Sequence, residues 1–456
     1  MQLFSDNGLY KRVLLLAAPM ALQNIITYSV ALSDNLMVGS LGDIALSGVY
    51  VSNQLQGILQ MLVVGLSAAM MVLASQYWGK KDSDSIKIIT GIALKFCVAA
   101  GFLFTFATLL FPVQILRLFT DDETVVLEGL RYFSVVRFSY VFFCITQVLI
   151  ASMRCVERVR IGMNISLITF FTNITLNWIL IFGKLGAPAL GIQGAAIATL
   201  VSRIVETLII ILYVRFIDDR LKMRLKDLLK SDILLLKDFF KYGLPVILGD
   251  IFWGINLAVQ GAIVGRLGPI ALASVSISNI VFSIMGVAVY GTAGASSVVI
   301  GQTVGSGDYE LVKSHAKKLQ FLFLIIGVLS GMALFIAKDF ILLLYNVSKD
   351  TIDMAKQFLT VLSITIIGTS YQMSSLTGIV RAGGATHFVL INDLIFVWLV
   401  VIPSALIAAF VLHAPPVVVF ACLKCDQILK CAVAVVKVNR FKWIKNLTRE
   451  AGVAGA

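Results

Sequence analysis

Twelve apolar runs alternate with short polar stretches along this chain: 13–38, 46–76, 88–111, 125–152, 161–182, 191–214, 240–265, 270–302, 316–337, 352–379, 387–411 and 416–437. A helix needs about 20 apolar residues to cross a bilayer. The pattern therefore predicts twelve transmembrane helices, an all-α polytopic membrane protein. Two runs, 46–76 and 270–302, exceed a minimal span and are expected to tilt or protrude. A β-barrel does not fit, because barrel strands alternate polar and apolar residues over about 10 positions.

Composition agrees. Of 456 residues, 59% are hydrophobic and 14% charged, with mean hydropathy +0.94. Soluble domains carry about 25% charged residues. The net charge of +12 is a topology signal and gives no reason to invoke nucleic acid. If the N-terminus is cytoplasmic, 25 of the 37 Lys and Arg fall on the cytoplasmic side. The opposite side holds the acidic run Asp121-Asp122-Glu123. Basic residues favour cytoplasmic loops, so both termini are expected inside, in a cell (inner or plasma) membrane. Residues 1–12 are not expected to be a cleavable signal, because the apolar run after them is too long.

The chain also repeats. Shifted by 226 residues, 38–82 lies on 264–308 without a gap, and 18 of 45 positions are identical. The matches include Gly65 with Gly291, Gln76 with Gln302, Gly79 with Gly305 and Asp82 with Asp308; Pro19 falls on Pro245. Six helices per repeat give both halves one orientation, as in transporters built from parallel repeats. The expected organisation is an N-terminal six-helix lobe (1–214), a cytoplasmic linker (215–239), a C-terminal six-helix lobe (240–437) and a cytoplasmic tail (438–456). The linker places Leu221, Leu225, Leu228 and Leu229 at helical spacing among basic residues, which suits a membrane-surface segment.

One acid stands out. Asp34 lies two-thirds along the first span, which also contains Pro19. An unpaired carboxylate in hydrocarbon costs on the order of 2.5–3.5 kcal/mol even on lenient scales. Such a group is either hydrogen-bonded by a neighbouring helix or used, by taking a proton or by holding a cation. Its counterpart in the repeat is Gln260, so the halves share a scaffold but not this charge.

Pro19 with Ser33-Asp34-Asn35-Leu36-Met37-Val38-Gly39, the doubled Gln76-x-x-Gly79 and Gln302-x-x-Gly305, Asn173-x-x-x-Asn177-Trp178, and Gly191-x-x-Gly194 through Thr199 together resemble the multidrug and toxin extrusion (MATE) family. The resemblance covers about residues 8–445. It implies a secondary active exporter, not an enzyme, in which two lobes give alternating access. Organic cations and other amphiphiles would leave in exchange for H⁺ or Na⁺, with no cofactor. By motif, the family's first-lobe cation site falls on Asp34, Asn173, Asn177 and Thr199, and a bend falls near Pro19. Many relatives carry an acid where Asn177 stands. Hard cations prefer more negative charge, which tilts the coupling ion toward H⁺. A monomer is expected.

Other residues have competing readings. Asp250, Gln260 and Asp393 form a candidate second-lobe polar site, for coupling or for structural pairing. Tyr28, Met61, Phe138 and Trp253, with Met285, Tyr290 and Tyr371, are candidate substrate-cavity residues, because aromatic rings and Met suit flat cations. Such residues also pack or face lipid. Cys422-x-x-Cys425 has redox spacing but no histidine partners, and His315, His387 and His413 sit at helix ends on differing sides. No metal site is expected beyond Na⁺ at Asp34. A lipid-linked saccharide flippase would usually need a broad cationic cavity, and few basic residues lie mid-helix. An intramembrane enzyme would need acids or histidines clustered at one depth. A passive channel is the remaining transport alternative.

The orientation is testable. Alkaline phosphatase inserted at 121 is expected to be active, and the same reporter at 230 inactive. The reverse pattern would overturn the assignment of sides.

Overall fold

The computed structural model describes residues 8–343 and 348–449. Helices cover all twelve expected segments. Among the described residues, ten helices are long and apolar enough to cross a membrane. Glu123–Val136 and Ser139–Cys155 form an eleventh crossing, bent by 56°. The last expected span is two short helices, Pro416–Leu423 and Asp426–Asn439, interrupted at Lys424 and Cys425. The two long runs differ. Asp43–Gly79 is one 37-residue helix, whereas the other is divided at Gly286 into Pro269–Met285 and Val287–Gly305. The first helix, Leu9–Gly39, continues through Pro19. A proline there lacks the N–H that the fourth residue before it would accept.

The helices are apolar on both faces. In Ser83–Leu110, Ile86, Ile89, Ala93 and Cys97 are buried, while Phe102, Leu103, Phe106 and Leu110 are exposed. A helix hydrophobic all round suits lipid on its outer face.

The chain forms two compact units. One, the Asp34 unit, comprises Leu22–Ala74 and Asp82–Phe240. The other, the Asp250 unit, comprises residues up to Ala21, Ser75–Lys81 and Lys241 onward. The ends of the first two helices thus belong with the second repeat, which a division at the linker does not capture.

The reason lies in the repeated Gln-x-x-Gly. A Cβ on Gly79 would sit 1.9 Å from the Gln302 carbonyl oxygen, and one on Gly305 would sit 1.8 Å from that of Gln76. Each motif lays its glycine on the other's glutamine backbone, a reciprocal contact that only a bare backbone permits. The side chains are also occupied. Gln76 Nε2 donates to the Ala382 carbonyl at 3.1 Å, and its Oε1 accepts from the Leu447 amide at 2.8 Å. Gln302 Oε1 accepts from Arg12. The matched acids have a local job: Asp82 caps Ser83–Leu110 through the Ser85 amide, and Asp308 caps Tyr309–Leu342 through the Leu311 amide, both at 3.0 Å. These are ordinary N-caps.

Residues in the segment expected to be a cytoplasmic tail pack within the Asp250 unit. Trp443 is fully buried, a Cβ on Gly383 would touch its ring at 2.2 Å, and the Lys445 amide donates to the Gly383 carbonyl at 2.8 Å. Arg381, expected in a loop, lies within the helical segment Lys349–Arg381. Moving that one residue leaves the charge asymmetry in place.

Gly79→Val or Gly305→Val forces backbone apart and is expected to cost about 3 kcal/mol or more. Thermal unfolding followed by size-exclusion chromatography in detergent checks this. Gly57→Ala, with nothing within 4 Å of the new Cβ, is the control and should unfold at the parent temperature.

Candidate functional site

Asp34 meets its expected neighbours within the Asp34 unit. The helix Val159–Phe182 carries Asn173 and Asn177 four apart, hence on one face, and both are buried. Asn177 Nδ2 donates to Asp34 Oδ1 at 2.5 Å and lies 3.1 Å from Asn173 Oδ1. Asn177 Oδ1 is also buried and has no hydrogen-bond partner among the described residues. A buried acceptor left open beside a carboxylate is costly, and a proton, a cation or water would satisfy it.

Near Thr199 stands a residue that the sequence did not single out. Tyr132 is buried and lies near Thr199, Asp34 and Arg203. Arg203 in turn pairs with Glu206 at 2.8 Å. Its guanidinium lies 5.0 Å from the centre of the Phe143 ring. The set offers one carboxylate, two amide oxygens and two hydroxyls. It fits a proton, or a single hard cation held by oxygen. Among the described residues, no three His, Cys, Asp or Glu gather where a metal ion could be held.

The second-lobe candidates each find a partner within the Asp250 unit. Asp250 Oδ1 lies 3.6 Å from Arg381 Nη1. Asp393 Oδ1 lies 2.8 Å from Lys430 Nζ, which is also 3.1 Å from Asp426 Oδ2. Gln260 donates to Asn256 and accepts from Lys424 at 3.2 Å. Asp250, Asp393, Arg381, Lys424 and Lys430 all line one cavity. Of these three bases, Lys430 lies inside a helix, Arg381 ends one and Lys424 stands between two. The spacing Asp426-x-x-x-Lys430 was the available signal, since residues four apart on a helix can pair.

The aromatic and Met candidates divide. Trp253 and Tyr290 line that cavity. Met285 packs against the hydrophobic core instead, and Tyr371 donates its hydroxyl to Gln320 at 2.7 Å. Tyr28 and Phe138 are exposed and Met61 is partly buried. Pro245, the repeat partner of Pro19, also lines the cavity.

Similar proteins match over most of their own length. A protein described as probable multidrug resistance protein NorM from Thermotoga maritima is 25% identical over 403 residues, spanning 87% of this chain and 85% of its own. Probable multidrug resistance protein YoeA from Bacillus subtilis is 25% identical over 412 residues, 88% of each chain. Among solved structures, the Vibrio cholerae MATE transporter VcmN superposes with a TM-score of 0.88 over 97% of this chain and 99% of that one, at 17% identity. A MATE structure in the bent conformation gives 0.85 over 96% and 97%, at 19% identity. The family model described as MatE matches residues 19–179 and again 245–416. Its two matches begin at Pro19 and Pro245, the prolines that the internal repeat superimposes, and with them the chain belongs to the MatE family of multi-pass membrane transporters.

Proposed function

We propose that this protein is a secondary active exporter that moves amphiphilic, chiefly cationic compounds out of the cell in exchange for H⁺ (or Na⁺), with Asp34 as the coupling group. It works as a monomer, with both termini in the cytoplasm. The names of its relatives, multidrug resistance proteins, support the substrate class. The observation that carries the reading is the 2.5 Å contact between Asn177 and Asp34 beside an open acceptor, Asn177 Oδ1.

The chemistry follows from donor and acceptor counts. An ionised carboxylate only accepts hydrogen bonds, whereas a protonated one also donates. Protonation of Asp34 creates a donor next to Asn177 Oδ1, which has none among the described residues. The same proton cancels the negative charge that would hold a bound organic cation. Ion and drug therefore compete for one group, and that competition is the exchange. Na⁺ would use Asp34 with the Asn177 and Thr199 oxygens. A single carboxylate is a weak site for a hard cation, which favours H⁺. The first helix is free to bend at Pro19, where the ladder lacks a hydrogen bond, and so to carry Asp34 between two positions.

Everted vesicles with a pH or Na⁺ gradient imposed separately test the coupling. Ethidium transport is expected under the pH gradient, and Asp34→Asn is expected to lower it by about tenfold or more. Transport by that variant at the parent rate would remove Asp34 from the mechanism. Asn177→Asp adds a second carboxylate, and a new response to Na⁺ is expected in the same vesicles. Counterflow of labelled substrate separates this carrier from a passive channel.

A further inference from the structure

The cavity of the Asp250 unit has an unusual charge balance for a compartment that is to hold cations. Its wall carries two acids, Asp250 and Asp393, and three bases, Arg381, Lys424 and Lys430. Arg381 faces Asp250 at 3.6 Å. Lys430 lies between Asp393 and a third acid, Asp426, at 2.8 and 3.1 Å. Asp426 is buried and does not line the cavity. Lys424 remains. It stands at the interruption between Pro416–Leu423 and Asp426–Asn439. Its hydrogen-bond partner is the neutral amide oxygen of Gln260, at 3.2 Å.

A cation inside the membrane region without its own counter-ion is costly. It becomes favourable when an anionic group arrives. A second group is also incomplete. Asp250 Oδ2 is buried and has no hydrogen-bond partner among the described residues, so it can accept from a cationic group. Trp253, Trp398 and Tyr290 supply aromatic surface on the same wall. Cavities of this kind, largely apolar with a few placed polar groups, suit small ligands.

We infer that this cavity is a subsite for zwitterionic aromatic amphiphiles, in which Lys424 binds the carboxylate and Asp250 the cationic end. The inference takes the direction of transport from the antiport reading above and adds a specificity residue to it. Lys430 and Arg381, already neutralised by their acids, hold the wall in shape. No bond is made or broken; recognition is by charge-assisted hydrogen bonds.

A matched pair of dyes tests it. Rhodamine 110 has a free carboxylate, and rhodamine 123 is its methyl ester; the cationic ring system is common to both. Fluorescence anisotropy with the purified full chain in detergent gives the two dissociation constants. The wild-type protein is expected to bind rhodamine 110 more tightly than rhodamine 123. Lys424→Met is expected to shift the ratio of the constants about tenfold toward the ester, and Lys424→Arg to restore it. Asp250→Asn is expected to weaken both dyes together. An unchanged ratio in a Lys424→Met protein that elutes like the parent overturns the inference. So does a wild-type protein that prefers the ester or binds neither dye, which keeps the test decisive if the variant fails to fold. The assay contains no ion gradient, so its failure leaves the vesicle result at Asp34 standing, and failure of coupling leaves this ratio standing.

Discussion

Charge in hydrocarbon has to be matched inside the protein, and much of this fold is arranged around that requirement. Water cannot reach a group at that depth cheaply, so each acid or base takes a partner from a neighbouring helix. Asp34 takes an asparagine. Asp250 takes Arg381, and Lys430 takes two aspartates. The pairings fix how helices rotate about their axes, because a helix turned by one residue would present its charge to lipid. They also mark where the protein is unfinished. Among the described residues, Asn177 Oδ1 and Asp250 Oδ2 have no hydrogen-bond partner.

The two repeats solve the packing problem alike and the charge problem differently. What they share is mechanical: a glycine that admits another backbone, a glutamine, an aspartate cap and a proline. What they do not share is ionic. One repeat places a carboxylate beside two asparagines. The other holds a network of bases and acids whose charges largely cancel.

Much of this was legible in the sequence. Hydrophobic length fixed the number and order of segments, since a helix that must span lipid cannot be short or polar. Asp34 stood out because intramembrane acids are rare, and Asn173 and Asn177 followed from their spacing of four. Other features were not visible. Tyr132 looks like any aromatic in an apolar run until the fold brings it to Thr199. Arg381 reads as a loop residue because it follows an apolar segment, yet the helix continues to include it. The division of Pro269–Met285 from Val287–Gly305 at Gly286 is equally silent, because a glycine in a membrane helix more often marks close packing than a break. The partners of charges depend on which helices become neighbours, and periodicity along one helix does not carry that.

The reciprocal glycine contact has a consequence for how the chain is made. The Asp250 unit is closed by residues far apart in sequence: Gln76 accepts from Leu447 across 371 positions. Trp443 fills the space over Gly383. The first helix is among the earliest segments to leave the ribosome, but its beginning belongs to a unit whose last packing residues are synthesised long afterwards. Long-range closure of this kind is intrinsically slow. Until that segment emerges, Gln76 Oε1 lacks the Leu447 amide and Gly383 lacks the Trp443 ring, so these contacts of the Asp250 unit close only after residues 443–447 have been made.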